Sequence, residues 1–135
     1  MSNTFQAHIL AADKKFYEGP LESLIVPTIS GQYGIMANHR NMIGAIEPGV
    51  LKYKIPGEEF KNAAASSGLV KIENNEVLIL VDSCERPEEI DENRAKKALA
   101  QAKEELLQQR SMVEYKSAKA NLARAINRLK VKSKS

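Results

Sequence analysis

The chain has 135 residues, of which 43% are hydrophobic and 27% are charged, a composition typical of a soluble protein with one domain or a small domain and an appendage. It contains no apolar run near the roughly 20 residues of a membrane-spanning helix, and its single cysteine, Cys84, excludes an internal disulfide. Charge is unevenly divided: residues 1–87 hold 8 Lys/Arg against 10 Asp/Glu, and residues 88–135 hold 12 against 7. A basic second part predicts a negative partner, such as an acidic protein, a phosphate or a nucleic acid.

Short β-strand patterns fill the first part of the chain. Segments 5–10 and 21–26 and the apolar run 77–81 are predicted strands. Turn signals recur about every 8–12 residues, a spacing typical of a β-sandwich or flattened barrel. These signals are Asp13-Lys14, Gly19-Pro20, Ser30-Gly31, Pro48-Gly49, Pro56-Gly57 and Asn74-Asn75.

After residue 87 the apolar residues follow a helical period. Asp91 is the predicted N-cap of a first helix, with Pro87 just upstream, and residues 111–113 are the predicted turn to a second helix. Each helix carries one apolar stripe. The stripes consist of Ala95, Ala98, Leu99, Ala102 and Leu106 on the first helix and of Ala118, Leu122, Ala125 and Leu129 on the second. The sequence therefore predicts an α+β protein, with a β domain over residues 1–86 and an antiparallel helical hairpin over residues 87–135.

The seam between the predicted helices is mostly alanine. A fully buried leucine contributes roughly 1.5–3 kcal/mol to stability, and an alanine contributes much less. We therefore expect the hairpin to hold together weakly, so that a bound ligand could decide its arrangement.

Charged residues gather at one end of the predicted hairpin. An antiparallel pair of helices would bring Asp91 and Arg94 beside Arg124 and Arg128, which share one helix face. Arginine donates planar, bidentate hydrogen bonds to phosphate, and the free N–H groups of a first helical turn also favour anions. This pattern predicts a polyphosphate pocket. The simpler alternative is a salt bridge from Asp91 to Arg94 or Arg128.

Short motifs run in a fixed order along almost the whole chain. They are Val26-Pro27-Thr28, Gly31-Gln32-Tyr33-Gly34-Ile35-Met36, Asn38-His39, Ile46-Glu47-Pro48-Gly49-Val50-Leu51, Ser67-Gly68, Val77-Leu78-Ile79-Leu80, Asp82, Ile90-Asp91-x-x-Arg94-Ala95 and Arg124-Ala125-x-x-Arg128-Leu129. In their order and spacing, these motifs resemble the epsilon subunit of bacterial F-type ATP synthases.

The resemblance implies a ten-stranded β-sandwich, or flattened barrel, followed by a two-helix hairpin. It implies a non-catalytic rotor subunit that docks on the gamma subunit and touches the c-subunit ring through Gln32 and His39. When the hairpin extends, it would inhibit ATP hydrolysis by meeting an acidic loop of a beta subunit. The basic residues for that contact would be Lys116, Lys119, Arg124 and Arg128. Such a subunit lies peripherally at the cytoplasmic face of the bacterial cell membrane, and it reaches the membrane only through the complex.

In some thermophilic and bacillus-like members of the family, the folded-down hairpin binds ATP as a regulatory ligand. The resemblance carries this role to Glu85, Ile90, Asp91, Arg94, Ala95, Arg124 and Arg128. The arginines would then hold the phosphates, and Asp91 and the backbone near Ile90 would contact the sugar or the adenine amino group. Ile90 and Ala95 would form an apolar wall, and Glu85 would contact the adenine or tie the hairpin to the sandwich. A magnesium ion could bridge the phosphates, but no carboxylate cluster demands one and no metal site of the protein itself is predicted.

Two other functions were open from the residues. A free-standing enzyme lacks support, because no phosphate-binding loop motif occurs and His39 has no convincing Ser or Cys nucleophile. A nucleic-acid-binding module would use the basic second helix, but that helix has one aromatic residue, Tyr115, for stacking. We therefore expect neither catalysis by the isolated chain nor a nucleic-acid partner.

Overall fold

The computed structural model describes residues 3–107 and 112–133, and for residues 112–115 it describes the backbone only. The chain divides into two compact units, Met1–Glu85 and Arg86–Ser135. The first unit contains the strands and the second contains the helices.

Ten strands make up the first unit. They are β1 Phe5–Ala11, β2 Lys15–Leu21, β3 Ser23–Thr28, β4 Gly31–Met36, β5 Met42–Ile46, β6 Gly49–Lys54, β7 Phe60–Ala65, β8 Gly68–Glu73, β9 Glu76–Val81 and β10 Cys84–Glu85. They form two five-stranded sheets, with the orders β2-β1-β9-β8-β5 and β10-β7-β6-β3-β4. Every pairing is antiparallel except β1 with β9, which is parallel. The predicted ten-stranded sandwich is confirmed.

Alternation along the strands creates the sandwich core. In β1, Ala7 and Ile9 are fully buried while their neighbours Gln6 and His8 are not, which is the period-two pattern of a strand with one inward face. Apolar side chains from both sheets meet in one cluster. The largest of those that are fully buried are Ile9, Leu21, Leu24, Ile35, Ile46, Leu51, Ile72 and Ile79.

One predicted turn is wrong. Gly19-Pro20 lies inside β2, with Gly19 opposite Ala7 and Pro20 opposite Gln6. Because β2 is an edge strand that pairs, among the described strands, with β1 alone, the missing N–H of Pro20 is tolerated there. The predicted strand 21–26 is therefore two elements, since β2 ends at Leu21 and β3 begins at Ser23.

The other predicted turns in this unit fall between strands or at a strand start. Asn74 and Asn75 have positive φ values of 50° and 62° and connect β8 to β9. That conformation suits a tight hairpin, and asparagine tolerates it better than most residues do.

The second unit begins with a short 3-10 turn, Pro87–Glu89, and continues with α1 Glu92–Leu107 and α2 Met112–Ser133. Asp91 caps α1 as predicted, because its Oδ1 accepts hydrogen bonds from the backbone N–H groups of Asn93 at 3.0 Å and Arg94 at 3.2 Å. Of the predicted turn 111–113, residues 112 and 113 already belong to α2, and Ser111 lies outside the described residues.

The two helices contact each other along the predicted alanine seam. Ala95 and Ala102 of α1 and Ala118 and Ala125 of α2 are all at most 3% exposed. The larger leucines of the stripes are only half-buried. Neither of the helices within the described ranges is long and apolar enough to cross a bilayer.

Candidate functional site: a cleft between two helices

A cleft of about 170 Å³ lies between α1 and α2. It spans one side of each helix, at positions three or four apart, which is the spacing of side chains that share a helix face. Its lining consists of Ala98, Gln101, Ala102 and Glu105 from α1 and Asn121, Arg124, Ala125 and Arg128 from α2. The small alanines allow the helices to approach closely and leave room between the longer polar side chains.

The polar groups of the cleft form one local pair on each helix. On α1, the amide Nε2 of Gln101 donates a hydrogen bond to Oε1 of Glu105 at 3.3 Å. On α2, the guanidinium of Arg124 donates to the side-chain oxygen of Asn121. With Arg128, the lining holds two cations and one carboxylate. Arg124 and Arg128 are both half-buried residues, so an anion that enters the cleft would meet two cations that are less hydrated than exposed ones.

The structure brings two of the predicted ATP-binding residues together in this cleft, Arg124 and Arg128. Asp91 and Arg94 lie outside the described lining, at the start of α1. The Asp91 carboxylate caps the helix, and the exposed Arg94 lies one helical turn before Ala98.

Three further predicted ATP-binding residues lie elsewhere. Ile90 and Ala95 are 5% and 3% exposed, so they contribute to packing at the start of α1. Glu85 is half-buried in β10 of the first unit, where it pairs with Ala64 of β7.

The predicted c-ring contacts lie on or beside β4. Gln32 is exposed on that strand, and His39 follows it in the loop to β5. His39 Nδ1 lies 2.8 Å from the backbone oxygen of Arg40, and Nε2 lies 2.7 Å from the Tyr33 hydroxyl. Because a carbonyl only accepts, Nδ1 carries a proton, and in the neutral ring Tyr33 donates to Nε2.

Asparagine side chains hold the loop that carries His39. Asn75 Oδ1 accepts a hydrogen bond from the backbone N–H of Asn38 at 2.7 Å, and Asn41 Oδ1 accepts one from the backbone N–H of Asn74 at 3.0 Å. These two bonds connect the loop between β4 and β5 to the β8–β9 turn. They therefore fix the position from which His39 is presented.

Of the residues predicted to contact a beta subunit, Lys116 and Lys119 are exposed on α2. Arg124 and Arg128 are instead half-buried in the cleft. The four residues thus differ in their availability to a partner in this arrangement.

Sequence reasoning missed an exposed apolar face on the sandwich. Ile43, Leu69 and Leu80 are 71%, 52% and 46% exposed. Leu69 lies opposite Ala45 on one side and Leu80 on the other, and Leu80 lies opposite Leu10, so a row of apolar residues crosses four strands. One feature of the sequence could have indicated this face. The run 77–81 is apolar at outward as well as inward positions, and strands of that kind usually have both of their faces covered by other protein.

Comparisons with known proteins cover both units. The family model described as ATP synthase, Delta/Epsilon chain, beta-sandwich domain matches residues 4–87, and the model described as ATP synthase, Delta/Epsilon chain, long alpha-helix domain matches residues 88–133.

Several curated relatives are similar over nearly their full length. The ATP synthase epsilon chain of Caldanaerobacter subterraneus subsp. tengcongensis is 42% identical over 135 residues, covering 99% of this chain and 97% of that protein. The epsilon chain of Ruminiclostridium cellulolyticum is 39% identical, covering 93% of each. That of Shouchella clausii is 37% identical, covering 95% of this chain and 94% of the relative.

Two solved structures share the fold. A chain of the Euglena gracilis mitochondrial ATP synthase, determined with OSCP, F1 and the c-ring, superposes with a TM-score of 0.78 at 20% identity, covering 91% of this chain and 78% of that one. A chain of the Tetrahymena thermophila mitochondrial ATP synthase central stalk and c-ring gives 0.70 at 14% identity, covering 94% and 95%.

Proposed function

The chain belongs to the delta/epsilon family of ATP synthase subunits and is an epsilon-type, non-catalytic chain of that complex; from this premise we propose that it is a rotor subunit whose helical hairpin inhibits ATP hydrolysis and is held compact by ATP. The observation that carries the proposal is the cleft with two half-buried arginines. ATP is a regulatory ligand in this proposal and is not turned over.

The size of the cleft decides which part of the nucleotide it takes. At about 170 Å³ it is smaller than the roughly 300–1,000 Å³ of pockets that enclose a small molecule. Arg124 and Arg128 therefore bind the phosphates, and the nucleoside lies outside the cleft. Arg94 lies one helical turn before the lining residue Ala98 and adds a further cation near the start of α1. At the start of α1, Asp91 and the backbone near Ile90 provide the contacts for the sugar and the base.

The alanine seam makes ligand control feasible. Ligand at ten times its dissociation constant stabilises the bound form by roughly 1.4 kcal/mol. That is comparable to the burial of a single larger apolar side chain. Because the buried residues of the seam are alanines, this free energy is a sizeable part of what holds the helices together.

Inhibition and ATP binding use the same arginines. In the compact hairpin Arg124 and Arg128 line the cleft, whereas Lys116 and Lys119 are exposed. When ATP falls, the hairpin opens and all four cations become available to an acidic loop of a beta subunit. Phosphate and acidic loop thus compete for one pair of guanidinium groups.

The sandwich has surfaces suited to the proposed rotor partners. The row of the exposed Ala45, Leu69 and Leu80 and the half-buried Leu10, with Ile43 nearby, supports docking on an apolar surface of the gamma subunit. Gln32 and His39, on a loop fixed by asparagine side chains, support contact with polar loops of the c ring. Through these contacts the chain is peripheral at the cytoplasmic face of the bacterial membrane.

Nucleotide binding to the full chain tests the proposal. We expect ATP to bind the wild-type chain, and Arg124→Ala and Arg128→Ala each to weaken binding at least about tenfold, the loss of one charge-assisted contact. Lys119→Ala, which removes a cation of the same helix outside the cleft, should bind ATP like the wild type. In the assembled enzyme, the arginine variants should lose ATP-dependent relief of inhibition. Wild-type ATP affinity in both arginine variants would contradict the ATP-sensor role.

A further inference from the structure

The carboxylate of Glu105 makes the arginine cleft less favourable for anions than the two arginines alone would make it. Glu105 lines the same cleft as Arg124 and Arg128, and the Gln101 amide holds it by a 3.3 Å hydrogen bond. A phosphate that reaches the two guanidinium groups therefore also approaches a negative charge. Like charges that share one small cleft repel one another even when water partly screens them.

We propose that Glu105 sets the affinity and the charge selectivity of the cleft, weakening the binding of polyphosphates in proportion to their charge. The proposal rests on the proposed ATP site and names a residue that tunes it. Glu105 acts in two ways. It repels the bound phosphates, and in the empty cleft it offers the arginines a competing counter-charge. Both effects shift the response of the hairpin toward higher nucleotide concentration.

A second reading of the same carboxylate gives the opposite sign. Magnesium in nucleotide sites is often held by one or two carboxylates together with the phosphates. If Glu105 did this, its removal would weaken the binding of magnesium-ATP. The described cleft lining has a single carboxylate, that of Glu105, beside the two guanidinium groups of Arg124 and Arg128, whose positive charges oppose a metal cation. The hydrogen bond from Gln101 further occupies one carboxylate oxygen. The geometry favours repulsion.

The dependence of binding on ligand charge and on salt concentration distinguishes this electrostatic role of Glu105 from a structural role. Glu105 is an exposed residue, so salt screens part of the repulsion. Removing its charge should tighten ATP binding about three- to tenfold at low ionic strength, and the gain should shrink as salt rises. The gain should be largest for ATP, smaller for ADP and smallest for AMP. A packing effect would not follow ligand charge in this order.

The experiment compares Glu105→Gln with Glu104→Gln in the full chain. Glutamine keeps the size of the side chain and an oxygen that can accept the Gln101 hydrogen bond, and Glu104 is an exposed neighbour on α1 outside the described lining. Both substitutions change the net charge equally. Binding of ATP, ADP and AMP is measured by calorimetry at two salt concentrations, with magnesium and with EDTA. We expect tighter binding for Glu105→Gln in the stated order and wild-type affinities for Glu104→Gln.

The outcomes distinguish this inference from the proposed function. If Arg124→Ala loses ATP but Glu105→Gln binds like the wild type, the ATP site stands and the role of Glu105 is rejected. If Glu105→Gln weakens binding only in magnesium, Glu105 is a metal ligand and the inference is overturned. Equal gains for Glu104→Gln and Glu105→Gln would reduce the effect to net charge and also reject it. Absence of binding in wild type and Glu105→Gln alike would overturn both proposals.

Discussion

The two units of this chain are built from buried side chains of very different size. The sandwich core holds fully buried Leu and Ile residues from both sheets, such as Leu24, Leu51 and Ile79. Most of the buried seam residues of the hairpin are alanines, and its leucines are half-buried. Since each buried leucine or isoleucine contributes roughly 1.5–3 kcal/mol, the sandwich is a stable platform and the hairpin is marginal. A subunit that must hold its partners and also change shape needs both properties.

Truncation of the sandwich core should give the largest effect. Ile79 in β9 is fully buried, so Ile79→Ala should lower the free energy of unfolding by about 2–5 kcal/mol through lost burial and a residual cavity. The neighbouring Leu80, 46% exposed on the outward face of the same strand, is the matched control, and Leu80→Ala should cost far less. Urea unfolding monitored by far-ultraviolet circular dichroism measures both. Equal losses would remove the distinction between core and outer face.

A close backbone approach in the sandwich should produce a comparable effect by overpacking. A Cβ at Gly68 would lie 1.9 Å from the Leu80 backbone oxygen, so Gly68→Ala forces two paired strands apart. We expect a loss of about 1–3 kcal/mol or more in the free energy of unfolding. Gly34→Ala in β4, where a Cβ would meet nothing within 4 Å, should change stability by less than about 0.5 kcal/mol. Thermal unfolding of the pair provides the comparison.

A larger side chain in the alanine seam tests whether the hairpin is the marginally stable unit. Ala125 is 1% exposed between the helices, and Ala125→Leu should destabilise the compact hairpin by about 1–3 kcal/mol. Because the sandwich is untouched, its unfolding midpoint should stay unchanged while a distance probe between α1 and α2 reports opening. In the assembled enzyme, ATP hydrolysis should be more strongly inhibited. Ala123→Leu, an exposed position on the same helix, should have neither effect.

The two units also differ in how much of them the sequence could predict. The Asp91 cap, the alanine stripes and the Asn74-Asn75 turn could be predicted from local patterns, because the interactions that produce each of these features lie within a few residues of one another. Gly19-Pro20 was misread because Pro20 is tolerated only through the edge position of β2, which depends on the order of strands in the sheet. Long-range pairing is not encoded in a local pattern.

The candidate site shows the same limit. The spacing of Arg124 and Arg128 predicted one shared face, and the cleft contains both. Which part of α1 lies opposite them depends on the stagger of the two helices, and a stagger between separate segments cannot be read from the local pattern of either one. The lining on α1 therefore runs from Ala98 to Glu105, and Asp91 and Arg94 lie before it. Glu105 became a candidate only once that stagger was known.

Loss of the α1 cap should have a smaller effect, confined to the hairpin. The Asp91 carboxylate accepts two backbone hydrogen bonds, and Asp91→Ala should cost about 1 kcal/mol of helix stability. Asp91→Asn retains a capping oxygen but loses the charge, so its helix content should stay near that of the wild type. The two variants thereby separate capping from any contact with nucleotide. If ATP binding falls equally in both, Asp91 contacts the ligand directly; if it falls only in Asp91→Ala, Asp91 acts through the helix start.

The smallest effect on stability is expected at the exposed apolar row of the sandwich, where a substitution should affect the binding of a partner and not the fold. Leu69→Ser replaces a side chain that is 52% exposed, so the free energy of unfolding should change by less than about 0.5 kcal/mol. Association with the purified gamma subunit should nevertheless weaken several-fold, because the row loses apolar area at its centre. Lys71→Ser, an exposed polar position on the same face of β8, controls for the change of surface. Unchanged gamma affinity in Leu69→Ser would mean that this face serves another contact, and the stable unit would then hold its rotor partner elsewhere.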